Sequence, residues 1–134
     1  MFGSLDISTS GLAAQRARLD VISGNIANAS TLTNAKGEYE PYRKRSTIFS
    51  TGDPAHGSEL GVHVDRIDKD TGPLNLRYEP DSPFADSQGM VGYPNVNLVL
   101  EQMEAMEAAR GYEANIAAIE ASKSMTTVAL EVLA

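Results

Sequence analysis

Leu5, Leu12, Leu19 and Ile26 stand seven residues apart in a proline-free run from Ser4 to Ala29, and Ile22 adds part of a second seam position. That is the spacing of a helix that lies along another helix. Ser4 can cap its start, with Asp6 placed where the positive end of the helix dipole favours an anion. Such a helix is about 36 Å long. It needs a partner of similar reach, and the chain supplies one only at its far end. From Asn95 onward no proline interrupts the pattern for about 38 residues, or about 57 Å of helix. Asn95, just after Pro94, is a capping residue by type. The seam of this second helix runs Val96, Val99, Met103, Met106, slips by one residue, and continues through Ala109, Tyr112, Ile116, Ile119, Lys123, Thr126, Leu130 and Leu133. A straight helix of period 3.6 drifts in this way against a seven-residue count.

Each helix also carries a second stripe opposite its seam. On the C-terminal helix it is Ala114, Ala118, Ala121, Met125, Val128 and Val132; on the first it is Ile7, Ser10, Ala14, Ala17, Val21 and Gly24. A two-helix hairpin in water needs one apolar seam and a broad polar back. Two opposed apolar or small faces imply neighbours on both sides, and hence a subunit of an assembly. Alanine serving only as a good helix former would explain the small residues, but not Ile7, Val21, Met125, Val128 and Val132. The seam and second-stripe residues are therefore the candidate assembly residues: Leu5, Ile7, Leu12, Leu19, Val21, Ile22 and Ile26 on the first helix, and Val99, Met103, Met106, Tyr112, Ile116, Ile119, Met125, Val128, Leu130 and Val132 on the second. Asn25 and Asn28 join them as expected helix-end and inter-subunit hydrogen-bonding residues, with plain capping as the alternative.

Between the helices the pattern changes to that of strands and turns. Tyr42–Thr51 is rich in β-formers, 51–58 reads as a loop, and 61–67 alternates. Asp70-Thr71-Gly72-Pro73 is a turn, and the natural hairpin joins 61–67 to the alternating Leu74, Leu76 and Tyr78 across it. Residues 80–94, with three prolines, read as an extended arm. The expected fold is mainly α with a small β insert, its long terminal helices paired as an antiparallel coiled coil. Residues 1–32 and 95–134 form a helical assembly core, and 33–94 a middle β-rich segment with a Pro/Gly arm.

The net charge of −7 gives no general attraction to nucleic acid or anionic membrane. Arg43-Lys44-Arg45 is the one local basic run, and three like charges suit a solvated strand end. The absence of cysteine excludes thiol chemistry. No stretch reaches the length of a membrane span, and the N-terminus lacks the basic and apolar regions of a cleaved signal peptide. Asp70-Thr71-Gly72 matches an aspartic-protease triplet in letters, but Lys69 and Pro73 flank it where an apolar strand and a small residue belong. A calcium loop counted from Asp68 to Glu79 places Gly72 where an oxygen ligand is needed and Pro73 where glycine is needed. His56 and His63 lack zinc-site company. No catalytic residue, cofactor, metal or small-molecule substrate is expected.

The residues Ser10-Gly11-Leu12-Ala13-Ala14-Gln15-Arg16, followed by Leu19 through Asn25-Ile26-Ala27-Asn28 to Thr31, resemble the N-terminal signature of bacterial flagellar rod and hook proteins. Tyr39 to Arg45, Tyr78-Glu79-Pro80 and Pro83-Phe84-Ala85-Asp86 are similar to the proximal-rod branch of that family, as are Gly92 to Asn97, Ala109 to Asn115 and Lys123-Ser124-Met125. Gly24, Ser82 and Gly89-Met90-Val91 depart from the pattern. The resemblance implies a non-enzymatic axial subunit of the proximal rod, exported without a cleaved signal by the flagellar type III apparatus and resident in the basal body across the periplasm. Its partners would be other rod proteins, the export-gate or membrane-ring base, and further copies of itself. Two other classes are a free-standing coiled-coil adaptor, which needs a polar back, and a small hydrolase, which needs a pocket around Asp65, Asp70 or His63. A narrow seam also leaves the terminal segments loose in the monomer, because ordering costs about 1–2 kcal/mol per residue.

Overall fold

The computed structural model describes residues 2–134, with the Phe2 side chain left out. Two long helices enclose four strands: α1 is Phe2–Ala27, β1 Arg45–Asp53, β2 Ser58–Lys69, β3 Asn75–Tyr78, β4 Met90–Tyr93 and α2 Leu98–Leu133. The expected class, helical with a small antiparallel β insert, is what the chain adopts. Its details differ from expectation in four ways.

First, the helix ends move. α1 already includes Ser4, so Ser4 lies within the first turn and does not cap it. α2 is capped by Asn97, not Asn95; the Asn97 side chain accepts from the Val99 and Leu100 amides. Val96 therefore lies outside the helix.

Second, the strands pair differently. β2 pairs antiparallel with β1, from Arg45↔Lys69 to Asp53↔Ser58, closed by a four-residue loop and kinked by two register shifts. β3 pairs with β4, a strand inside the stretch read as an extended arm. The loop at 54–57 forms a hairpin because Asp53 accepts from the Ala55 amide and Gly57 takes a left-handed φ of +63°. The turn at 70–73 does not, because it is tied back to the start of β1. Asp70 donates its amide to the Lys44 carbonyl, and Arg43 donates to the Gly72 carbonyl at 2.7 Å. Beyond that tether the chain leaves the hairpin and meets β4. Asp86 closes the β3–β4 turn by accepting from the Gln88 and Met90 amides.

Third, the helices run antiparallel, but the face of α2 turned to α1 is not the one built from its largest side chains. Gly11 faces Asn115, Gly111 faces Gln15, Arg18 meets Glu107 and Asn25 meets Glu101. The protected positions of α2 recur at 101, 105, 108, 112, 115, 119, 122, 126 and 129, alternating four and three as a seam does. They are mostly small or polar. Leu5, Leu12, Leu19 and Ile26, each half-buried, flank the contact.

Fourth, the second stripe of α1 is largely covered within the chain, with Ile7 left exposed. The Ser10 hydroxyl accepts from the Val62 amide at 3.1 Å and donates to the Ile7 carbonyl. Ala14 is almost fully buried, and Gly24 approaches the Tyr42 hydroxyl. The β1–β2 hairpin thus sits on the face expected to meet a neighbouring subunit.

Candidate assembly interface

The fold is pinned where the end of α1, the start of β1 and the start of α2 meet. Asn25, 1% exposed, spends all four of its hydrogen-bonding positions there. Its amide donates to the Arg45 carbonyl (2.8 Å) and to Glu101 Oε2 (3.1 Å), and its oxygen accepts from the Tyr42 hydroxyl and the Arg45 amide (2.9 Å each). Glu101 is fully buried, and its Oε1 lies 2.7 Å from Lys44 Nζ. The hydrogen bond to Glu101 raises the Lys44 pKa against the opposing effect of burial. Burial also raises that of Tyr42, against the nearby Arg45, whose guanidinium lies 5.8 Å from the Tyr42 ring centre. The basic run is therefore not a free anion site. Arg43 and Lys44 are engaged within the chain, and Arg45 lies over an aromatic ring.

Asn28 closes α1: its amide donates to the Gly24 carbonyl, and its oxygen accepts from the Thr31 hydroxyl. Asn25 has no polar valence left for a neighbour. Val91, Pro94 and Ala108 are the other fully buried positions beside this junction's elements. The sequence reading missed Tyr42, Arg45 and Glu101 as partners of Asn25, and Lys44 as the partner of Glu101. The only local signal was a lone carboxylate in phase with the protected positions of α2.

The remaining candidate residues divide by face. Ile22 is buried, while Val21, Tyr112 and Ile119 are half-buried like the leucine line of α1. Ile7, Val99, Met103, Met106, Ile116, Met125, Val128, Leu130 and Val132 are exposed. Met103 is 60% exposed, Met125 65% and Val132 80%. On α2 the outward line Val99, Met103, Met106, Ala114, Ala117, Ala121, Met125, Val128, Val132 keeps helical spacing opposite the helix pair, interrupted once by the exposed Arg110. It is an apolar face with large residues at both ends and alanine between. A monomeric protein rarely leaves so many large apolar side chains along one helix face in water.

Nothing comparable is arranged for chemistry. His63 donates from Nδ1 to the Gly52 carbonyl and lines a groove of about 600 Å³ between α1 and the hairpin, Asp70 lines a different depression, and Asp65 is bound to Arg66 in solvent. Among the described residues no cluster of acidic or histidine side chains has metal-site geometry, and no helix is long and apolar enough to cross a membrane.

Known proteins match this arrangement at both helices. The family described as "Flagella basal body rod protein" matches residues 5–36, which hold most of α1 and its closing turn. That described as "Flagellar basal body rod FlgEFG protein C-terminal" matches 87–132, from before β4 almost to the end of α2. The chain is 41% identical to the flagellar basal-body rod protein FlgC of Borreliella burgdorferi, over 99% of this chain and 97% of that one. The chain belongs to the FlgC family. FlgC of Bacillus subtilis is 38% identical over 98% of this chain and 97% of its own. FlgC of Salmonella typhimurium is 42% identical over 90% and 88% respectively. Within the FlgC family, then, the apolar outer face of α2 belongs to a chain whose relatives are named for a built structure.

Proposed function

We propose that this chain is a structural, non-enzymatic subunit of the bacterial flagellar basal body, building the proximal rod that serves flagellum-dependent motility. The observation that carries the reading is the apolar outer face of α2 in a chain related to FlgC proteins along nearly its whole length. A drive shaft needs torsional stiffness, and long helices covered on several sides supply it. Residues 1–32 and 95–134 act as the assembly core, where the antiparallel pair meets its neighbours with coiled-coil-like packing. Residues 33–94 brace the pair and face outward. The subunit reaches the periplasm-spanning rod through the flagellar type III apparatus without a cleaved signal. Its neighbours are other rod proteins, export-gate components and further copies. The small, polar seam supports a second element of the reading: the helix ends far from the Asn25–Glu101 junction order fully only on assembly.

An adaptor that works alone would present a polar back, which α2 lacks. The test uses Met125→Glu, a change at a solvated position that leaves the in-chain packing untouched. In cells lacking their own FlgC, the unaltered chain restores rods and swimming and the variant does not, although the purified variant keeps its helical circular dichroism. Unimpaired swimming with Met125→Glu refutes the assembly face.

A further inference from the structure

Sulfur in this chain is confined to methionine. The sequence holds five methionines and no cysteine, and Met1 lies outside the described residues. Met90 is half-buried in β4, opposite Tyr78 of β3. The other three all stand on α2, where Met103 is 60% exposed, Met106 59% and Met125 65%. At about 100° per residue they fall within a sector of about 100° of the helix circumference, on the side away from the buried Glu101 and Ala108. Every exposed thioether among the described residues therefore lies on the outer face of α2, and the one that lies elsewhere is partly shielded by the β3–β4 pair.

A thioether fills an apolar contact much as leucine does, but its sulfur lone pair is open to oxidants. Conversion to the sulfoxide replaces a soft apolar group by a polar S–O dipole, and burying such a group without a hydrogen-bond donor is unfavourable. Met103 and Met106 line a shallow groove with Leu100, Glu104, Glu107 and Arg110. Hydrogen peroxide is uncharged, so the charged groups of that groove neither draw it in nor keep it out.

We propose that Met103, Met106 and Met125 form an oxidation-sensitive modification site that controls whether α2 can join an assembly. In the free chain a peroxide gives one oxygen atom to each sulfur. The sulfur lone pair attacks, the O–O bond breaks, the thioether is oxidised to the sulfoxide and the peroxide is reduced to water. A chain so marked carries up to three sulfoxide oxygens on a face that assembly has to dry, and it is held out. A sulfoxide reductase working with a dithiol removes the oxygen as water and leaves a disulfide in the reductant, so the mark is reversible. Once a neighbour covers the face, the sulfurs are out of reach. The proposal rests on the reading of the outer face of α2 as the assembly face and adds a chemical control to it.

The test begins with the purified full chain in dilute hydrogen peroxide, followed by peptide mass spectrometry. Met103, Met106 and Met125 should each gain one oxygen at least about fivefold faster than Met90, a difference that denaturant removes. Helical circular dichroism should persist, since the three lie away from α1. The second arm uses cells lacking their own FlgC and their sulfoxide reductases, supplied with the natural chain or with a variant carrying Met103→Leu, Met106→Leu and Met125→Leu. New rods are counted with and without sublethal peroxide, each chain against its own untreated count, so that the basal assembly of the variant does not enter. Peroxide during synthesis should lower the count for the natural chain about tenfold and that for the leucine variant less than about twofold. Peroxide added after the rods are built should change neither. A chain with Met103→Gln, Met106→Gln and Met125→Gln, which fixes polar groups at the same places, should fail to build rods without any peroxide. Oxidation of Met90 at the same rate in the folded chain, equal peroxide losses for the natural and leucine chains, or rods built normally by the glutamine variant each overturns the proposal. Met125→Glu judges the assembly reading apart: rods lost with it but kept with the glutamine variant leave that reading standing and the oxidation site refuted.

Discussion

Replacing Lys44 by methionine removes the cation from a carboxylate that has no access to water. Glu101 is fully buried, its Oε1 is 2.7 Å from Lys44 Nζ, and among the described residues Asn25 supplies the other polar contact, at 3.1 Å to Oε2. Breaking such a pair from one side costs about 3–5 kcal/mol, because the remaining charge keeps its desolvation penalty and loses its compensation. Against a total stability of about 5–15 kcal/mol for a domain of ordinary size, Lys44→Met should remove about a fifth or more. Glu101→Leu in the same chain should return most of the loss, since an apolar pair of similar volume is often as stable as the ion pair it replaces. Asn25 would then keep the Arg45 carbonyl as acceptor. The assay is urea unfolding followed by far-ultraviolet circular dichroism for the natural chain, both single variants and the double variant, with the coupling energy taken from the cycle. A loss below about 1 kcal/mol in Lys44→Met, the level of an exposed pair, refutes the reasoning and means that water reaches Glu101 in solution. The pH dependence gives an independent sign. The folded-state pKa of Lys44 is raised above its ordinary 10.5, so its contribution is complete below 10.5 and is lost as the pH rises through the higher folded value. Stability should fall at that alkaline edge in the natural chain, and the fall should be smaller in the double variant.

Gly61 has a φ of +98°, and a methyl group there would lie 2.6 Å from Ser10 Oγ. Gly61→Ala should cost about 2–3 kcal/mol through backbone strain and the lost Ser10–Val62 bond. Adding Ser10→Gly should recover only the steric part; full recovery in the same urea assay would show that no strain was present. Hydrogen exchange on the dilute chain should give protection that is highest around Asn25 and Glu101 and declines along α2 towards Leu133. Uniform protection along α2 would end the idea that its far end orders on assembly. His56, raised above its ordinary 6.5 by its hydrogen bond to Asp53, should titrate above that value by NMR. Asp53→Asn should bring it back down. Any ion-pair contribution at this hairpin tip is present below pH 6.5 and disappears as the pH rises through the raised value.

The two helices were legible because a proline-free, periodic run longer than a membrane-free core requires has few other solutions. The pairing of the strands was not. Ser58–Lys69 could pair with the strand before it or the one after it, and both intervening loops contain turn residues. The choice is made by Arg43 reaching the Gly72 carbonyl and by the Asp70 amide continuing the β1–β2 ladder. Those contacts span nearly thirty residues and leave no local pattern. The Asn25 junction was hidden for the same reason: its four hydrogen bonds go to three residues, Tyr42, Arg45 and Glu101, from two distant stretches of chain.

The seam of the helix pair was misread on α2 for a more instructive reason. Ranking helix faces by side-chain size assumes that the largest apolar residues are buried in their own chain, but α2 turns Glu101, Ala108, Gly111 and Asn115 inward and Met103, Met106, Met125 and Val132 outward. The glycines at 11 and 111 bring the two helices close enough that an added methyl group would lie 2.8–2.9 Å from the opposing amide side chains. Close approach makes the in-chain contact narrow, so it consumes little of the circumference of α2. The buried ion pair and the saturated Asn25 fix its register where burial of large side chains would otherwise have done so, and they do so at one end only. What remains is a helix held firmly at its base, paired thinly along its length, and free to offer its large apolar residues to other chains. In a subunit that assembles as proposed, size patterning reads the interface with the neighbours, and the small and polar positions read the monomer.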